Sequence, residues 1–468
     1  MKPLNQLVRL DEGLVEADIF TDEDIYQQEL DKVFGQSWLF LGHESMIPSN
    51  GDYFTTYMGE DAVIVVRDAH SRIRVLLNKC RHRGNKVCLF DRGSARSFIC
   101  TYHGWSYTTE GKLSGVPGFE ENYLGALEKD AFGLVEVPSV DTHSGVIFAN
   151  WDPHPITLDE HLNDGAWYLD MFVFVPFLGG LEIVPGVQKY MMPANWKLAS
   201  DNFAGDHYHF ASTHASYLKV FREFEQQGLK ARGLRGSGGR QGESYEISPG
   251  YPNGVPHAFG SLRPGPQGYD DDLQKARDLG PEAVEWVEYR YQKLLEQLKD
   301  HPVKPYSFTR GHSWPNFSQI GLASPLEGHG LIAWHPRGPH ATEAWEWCAV
   351  EKEAPACVKK NAVVELMHGQ AAAGLIAPDD NENFERMTDN LQAPMGKRWP
   401  FNYQMGLHRD ESYPGREQWD IRGLPALVGF HISETNQRQF YRYWQQLMMG
   451  EHRARDAESG RLAAAAGD

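Results

Sequence analysis

Near the N-terminus, apolar residues recur with helical spacing: Tyr26, Leu30, Val33 and Phe34 fall at i, i+4, i+7 and i+8. Thr21, just ahead of them, is placed to cap that helix. From Trp38 the spacing changes. The run DAVIVVRDAHSRIRVLLNKC reads as two strands rich in β-branched residues, joined by a turn at Asp68-Ala69-His70-Ser71. Strand-like runs continue to SGVIFANW, and the stretch 38–155 predicts a compact all-β domain. Beyond it the pattern is mixed. Residues 196–215 predict helix, whereas 226–280, rich in Gly, Pro and polar residues, predict long loops of the kind that serve as lids. A helix follows Pro281, with Val284, Val287, Tyr291, Leu294 and Leu298 on one face. GLIAWHPRG and ATEAWEWCAV alternate like antiparallel strands. Another helix runs from Val358 to Leu375 and stops at Pro378; the last, capped by Thr435, buries Phe440, Trp444 and Leu447. Residues 1–37 and 156–450 are expected to form one larger domain, and 451–468 a flexible tail.

Composition narrows the class. With 468 residues, 41% hydrophobic and 23% charged, the chain is long and apolar enough for two or three folded domains. A formal net charge of −18 argues against nucleic acid or an anionic membrane as partner. No stretch approaches the roughly 18 apolar residues of a spanning helix, and MKPLNQLVRLDEGL lacks the apolar centre of a secretory signal. Five cysteines (Cys80, Cys88, Cys100, Cys348, Cys357) are few and odd in number, as in a reducing compartment where cysteine binds metal or stays a buried thiol. A soluble, cytoplasmic protein is expected.

Two constellations carry chemistry. Cys80-Arg81-His82 and Cys100-Thr101-Tyr102-His103 form C-x-H and C-x₂-H, separated by 17 residues. A zinc finger groups its cysteines before its histidines. Here the types alternate, so two facing loops put both thiolates on one iron and both imidazoles on the other, the Rieske arrangement of a [2Fe-2S] cluster. Neutral histidines raise the potential to about −150 to +300 mV, against about −400 mV for all-cysteine plant-type clusters. Gly84 and Gly104 after each motif suit tight cluster loops. Cys88, between the motifs, reads as a buried thiol.

The second constellation lies in NWKLASDNFAGDHYHFASTH, with Asp206, His209 and His214. Histidines five apart stand about 140° apart round an ideal helix, so the helix must end or carry a local bulge there for both to reach one metal. Two imidazoles and one carboxylate with open positions make the facial triad of non-haem Fe(II) oxygenases. APDDNENFE offers Asp379, Asp380, Glu382 and Glu385, and spacing does not select among them.

From the N-terminal helix through FGQSWLFLGHESMIP to about Met449, the chain resembles the α subunits of bacterial aromatic-ring-hydroxylating dioxygenases, the naphthalene and biphenyl dioxygenase type. CRHRG…CTYHGWSY matches the family's Rieske signature, NWKLASDNFAGDHYHFASTHAS its iron signature, and PDDNENFE the segment with the third ligand. The resemblance implies His209, His214 and Asp380 as iron ligands, with Asn202 and Asp206 supporting them. Asp201 departs from the family's usual glutamate. The resemblance also implies an α+β fold, the all-β Rieske domain inserted in a helix-grip (START-like) catalytic domain whose antiparallel sheet wraps a long helix. It implies a ring of three α subunits, often with three small β subunits (α3β3). There Asp206 would bridge His209 to His103 of the adjacent chain.

The implied activity is cis-dihydroxylation of an aromatic ring with O₂. NADH electrons would pass through a ferredoxin reductase and ferredoxin to the cluster and then to mononuclear Fe(II). Phe203, His207, Phe210, Leu218, Leu375 and Ile376 are pocket candidates because they flank the ligands. Arg81, Arg83 and Lys86 offer a basic landing site for ferredoxin. A Rieske monooxygenase or O-demethylase would share every ligand. A simple electron carrier would need no second constellation, and a ligand-binding helix-grip module would need no cluster.

Overall fold

The computed structural model describes residues 2–227, 245–260, 263–301, 304–321, 324–410, 427–430 and 433–451. Most of the tail expected at 451–468, and 228–244 of the expected loops, lie outside these. The chain divides into two compact units, Phe34–Leu158 and Met1–Val33 with Asp159–Asp468.

The smaller unit is built of short antiparallel strands: β1 (Leu39–His43), β2 (Asp52–Met58), β3 (Asp61–Arg67), β4 (Ile73–Leu77), β5 (Arg92–Ser94), β6 (Ser97–Ile99), β7 (Ser106–Thr108), β8 (Leu113–Gly115), β9 (Ser139–His143) and β10 (Val146–Asn150). They form sheets in the orders β4-β3-β2-β5, β8-β7-β6 and β9-β10-β1. The Val63–Val66 run of β3 is buried on both faces, as its unbroken β-branched character requires. The predicted turn after β3 forms around Asp68, whose Oδ1 accepts from His70 N and Arg72 N while Arg74 donates to Oδ2.

The first α-helix of the larger unit is α1 (Glu23–Glu29). Asp22 rather than Thr21 caps it, accepting from Asp24 N and Ile25 N, because the Thr21 hydroxyl donates back to Ala17 O. The main antiparallel sheet comprises β11 (Leu181–Ile183), β12 (Gln188–Met192), β13 (Tyr245–Ser248), β14 (His257–Gly260), β15 (Arg310–Ser313), β16 (Phe317–Gly321), β17 (His329–Pro336), β18 (Thr342–Glu351) and β19 (Leu427–Phe430). Its order is β11-β18-β17-β16-β15-β14-β13-β19, with β12 also pairing β18. Against it pack α2 (Trp196–Gly205) and, past α3 (Phe210–Thr213), α4 (Ala215–Gln226), α5 (Gly265–Leu279) and α6 (Pro281–Gln297), the helices α7 (Ala356–Gly369), α8 (Ala377–Gln392) and α9 (Thr435–Met449).

Three expectations need correction. Within 226–280 the described residues include β13, β14 and the fifteen-residue α5 rather than continuous loop. The Gly and Pro of α5 cluster in its first turns, where Gly268 lets Tyr306 approach: a Cβ there would stand 2.6 Å from its ring. The helix from Val358 ends at Gly369, not Leu375. Pro378 lies in the first turn of α8, where a missing N–H costs nothing, so it begins a helix instead of ending one. Thr435 is the first residue of α9, and its hydroxyl donates to Asp410. Phe440, Trp444 and Leu447 are buried as expected.

Candidate metal centres

In the smaller unit two loops repeat one backbone design. Cys80 N donates to Asn85 O and Gly84 N to Cys80 O; likewise Cys100 N donates to Trp105 O and Gly104 N to Cys100 O. Gly84 and Gly104 sit at φ +77° and +73°, the left-handed region that closes each loop. Both cysteines are buried, and their sulfurs meet hydrogen-bond donors. The Tyr107 hydroxyl lies 3.2 Å from Cys80 Sγ while accepting from Arg81 N, and Asn85 Nδ2 donates to Cys100 Sγ. Burial would raise the Cys100 thiol, but N–H groups of Tyr102 and His103 and the Asn85 amide hold it below the usual range, favouring thiolate. The imidazoles of His82 and His103 lie 4.5 Å apart, and His82 stacks on Trp105. His82 Nδ1 is buried with no hydrogen-bond partner among the described residues. Burial, then His103 and Arg83, keep that ring neutral, the form that binds metal. A buried imidazole nitrogen without a partner beside two donor-stabilised thiols fits a Rieske cluster. Cys88 is a buried thiol raised by burial. Arg81, Arg83 and Lys86 are exposed; Arg81 donates to Gly133 O and Lys86 to the Tyr57 hydroxyl.

In the larger unit the helix ends at this place, one of the two forms expected, and a separate turn carries the histidines. α2 is fixed at its start by the Asn195 cap and by Lys197, whose Nζ lies 2.6 Å from the buried Glu29. Trp196 and Trp444 donate to the same carboxylate. α2 ends at Gly205, where a Cβ would come within 2.5 Å of Gln437 Oε1. His209 and His214 then bracket the single turn α3 as its two caps, which swings both rings to one side. Their centroids lie 5.3 Å apart. Asp380, in the first turn of α8, completes the group: His209 Nε2 and His214 Nε2 each lie 3.3 Å from its Oδ1. Asn383 of α8 donates to Thr213, tying that helix to α3. The three side chains offer one ligand atom each, all within 4.8 Å of one another.

The other nitrogen of each ring is also engaged. His209 Nδ1 lies 3.4 Å from Asp206 Oδ2 and 3.3 Å from Asn202 Nδ2, and Asp206 also accepts from His209 N. His214 Nδ1 lies 3.3 Å from Asp379 Oδ2. Carboxylates on both Nδ1 atoms direct both Nε2 atoms at Asp380, as outer partners of metal-binding histidines do. Burial would lower the His209 imidazole, but Asp206 and Asp380 lift it to about 9. The site attracts a cation, and this donor set fits Fe(II) with positions left open.

Among the pocket candidates, Phe203 meets Trp334 with centroids 5.6 Å apart, His207 stacks on Phe210, and Phe210 borders His214. Leu218 is partly buried, Ile376 is buried and Leu375 is about half exposed at 48%. Sequence reasoning missed the Asp379 contact with His214. Its only signal was adjacency to Asp380.

A two-sulfur, two-imidazole site in one unit and a two-histidine, one-carboxylate site in the other are the equipment of an oxygen-activating non-haem iron protein. A family model described as "Ring hydroxylating alpha subunit (catalytic domain)" matches residues 158–450, and one described as "Rieske [2Fe-2S] domain" matches 37–138. The chain belongs to the ring-hydroxylating alpha subunit family. It is 34% identical over 450 residues to biphenyl 2,3-dioxygenase subunit alpha of Rhodococcus jostii (strain RHA1), spanning 93% of this chain and 89% of the relative. It is likewise 34% identical over 453 residues to benzene 1,2-dioxygenase subunit alpha of Pseudomonas putida, spanning 93% and 91%. A solved structure of naphthalene 1,2-dioxygenase with indole bound superposes with a TM-score of 0.79 at 30% identity, covering 96% of this chain and 95% of that one. The fold is thus the expected Rieske domain with a catalytic domain of helices and antiparallel sheet. The protein is an aromatic-ring-hydroxylating dioxygenase whose cofactors are a [2Fe-2S] cluster and a mononuclear iron. Its dioxygenase relatives favour this over the monooxygenase or demethylase alternative. No helix among the described residues is long and apolar enough to cross a membrane.

Proposed function

We propose that His209, His214 and Asp380 hold the mononuclear iron and that Cys80, His82, Cys100 and His103 hold the cluster. The chain would then be the large subunit of a terminal oxygenase that cis-dihydroxylates an aromatic ring. The carrying observation is the convergence of both Nε2 atoms on one Asp380 oxygen. When bound, the two iron groups supply electron storage and O₂ activation. The chain's own residues do the rest. Asp206 and Asn202 orient His209, Asp379 orients His214, and Phe203 with Phe210 offer apolar surface to hold a ring and exclude water. The finer assignments belong to the same proposal: a Rieske domain over 38–155, a catalytic domain over 1–37 and 156–450, a ring of three chains with small β subunits, ferredoxin and its reductase as electron donors, and a cytoplasmic location. Asp206 would then bridge His209 to His103 of the adjacent chain, joining the neighbour's cluster to this iron site.

Iron and sulfide analysis tests the ligand set. About three irons and two acid-labile sulfides per chain are expected. His209→Ala or Asp380→Ala should leave about two irons with the cluster's visible spectrum intact. Turnover by a cluster-replete variant lacking both histidines would end this reading. Under ¹⁸O₂ the product should carry label on both new oxygens.

A further inference from the structure

Two helices flanking the candidate iron site pack on the main sheet: α2, which leads to His209, and α8, which bears Asp380. Register fixes which side chains share one face of that sheet: Tyr190, Ala344 and Trp334 stand in line, as do Gln188, Glu346, Ile332 and Ser318 one step along. Phe203 at the C-terminal half of α2 meets Trp334 on this face. Tyr190 shares a hydrogen bond with Asn381 of α8, next to Asp380, and feels the charges of both Glu346 and Asp380. Leu366 of α7 lies 3.5 Å from the position a Cβ on Gly330 would take.

On that face Glu346 is 1% exposed, and both its carboxyl oxygens are buried with no hydrogen-bond partner among the described residues. The other deeply buried glutamates each keep at least one cationic partner, Glu327 pairing with Lys275 through Oε1. Glu29 has Lys197 and two tryptophans, Glu246 has Arg310 and Asn436, and Glu351 has Arg290 and Trp286. An unpaired carboxyl in the interior is costly, and one that stands beside a reactive centre has a use for its free valences. Gly330 stands beside the carboxyl without a side chain of its own; a Cβ there would lie 3.3 Å from Glu346 Oε1. Burial alone lifts the group to about 8, with no cation contributing, so near neutrality it is an uncharged acid with one donor and one acceptor.

We propose that Glu346 is a substrate-recognition group of the ring-binding site, selecting aromatic rings that bear a neutral hydrogen-bonding substituent, an amino or hydroxyl group. The inference rests on the dioxygenase reading and sharpens its substrate class. The carboxyl accepts from the substituent's N–H or O–H and donates to its lone pair. A bare hydrocarbon leaves the carboxyl unmatched. A carboxylated ring would bring an anion against Glu346, which no cation attends.

Matched ligand pairs test this in the holoenzyme, with anaerobic equilibrium dialysis as the readout: aniline against toluene, 1-naphthylamine against 1-methylnaphthalene, 2-aminobiphenyl against 2-methylbiphenyl. In at least one pair the amino compound should bind about ten-fold or more tightly, the worth of one buried hydrogen bond. Glu346→Leu should abolish that preference without lowering Tm, since it removes an unsatisfied group, and Glu346→Gln should keep most of it. No preference in any pair, a preference that survives Glu346→Leu, or a fall in Tm showing a structural partner would overturn the proposal. Turnover under ¹⁸O₂, followed separately, shows whether the dioxygenase reading itself has failed.

Discussion

Asp379 and Asp380 are consecutive, yet they meet opposite nitrogens of His214: one carboxylate holds Nδ1 and the other faces Nε2. Successive residues in the first turn of a helix point about 100° apart, so a dyad of acids there can both receive a metal and steer a ligand. Asp379→Ala should weaken iron binding about ten- to hundred-fold while leaving the cluster untouched, measured by chelator competition. Asp379→Asn should recover part of the loss by accepting the same hydrogen bond. Glu29 has the larger structural consequence, since Lys197, Trp196 and Trp444 all depend on it. Burial presses the Lys197 ammonium down and Glu29 opposes this. Glu29→Ala would strand that cation, at a cost of about 3–5 kcal/mol, to be read from urea unfolding. Much of the site was legible at this scale. The five-residue spacing of His209 and His214 demanded that the helix end or bulge, and it ends at Gly205. Asp380 was singled out from its neighbours only by resemblance, because which of four nearby acids faces a ring depends on the docking of α8, which local sequence does not encode.

At the level of elements, α2 is held against α9 and the segment at Tyr403 by Asp201, whose Oδ2 accepts from the hydroxyls of Tyr403 and Tyr441. Burial raises this carboxyl from 3.8 to about 7, although the two hydroxyls pull it down. The unfolded chain loses the proton near 4 while the folded chain keeps it to about 7. Stability from this group is therefore complete below the lower value and is lost as pH rises through the higher one, on the order of 1 kcal/mol per pH unit. Asp201→Asn should flatten the fall in Tm between these limits. Elements were read well where a periodic apolar stripe ran uninterrupted, as in α6 and β18. They were misread where punctuation residues had another purpose. Gly268 serves a close approach to Tyr306, and Pro378 occupies the one turn of a helix that tolerates it.

For the whole molecule, a net charge of −18 bears on the proposed docking of a ferredoxin. Exposed Arg81, Arg83 and Lys86 at the cluster loops offer a local exception to that field. Lys86→Glu should slow reduction of the cluster by ferredoxin at low ionic strength and do so less as salt is added, a stopped-flow measurement. The alternation of thiol and imidazole ligands was plain in the chain. The catalytic fold was not: β11 and β12 pair with β18, and β13 with β19, across long stretches of chain, and only likeness to relatives anticipated it. The triad joins such distant parts. His214 and the aspartates of α8 are 165 residues apart at the Asp379 contact, so an ion seated among them acts as a removable rivet across a long stretch of chain. Stripping it should cost more than catalysis: α8 should become cleavable by protease and thermal tolerance should drop, both reversed by adding ferrous ion.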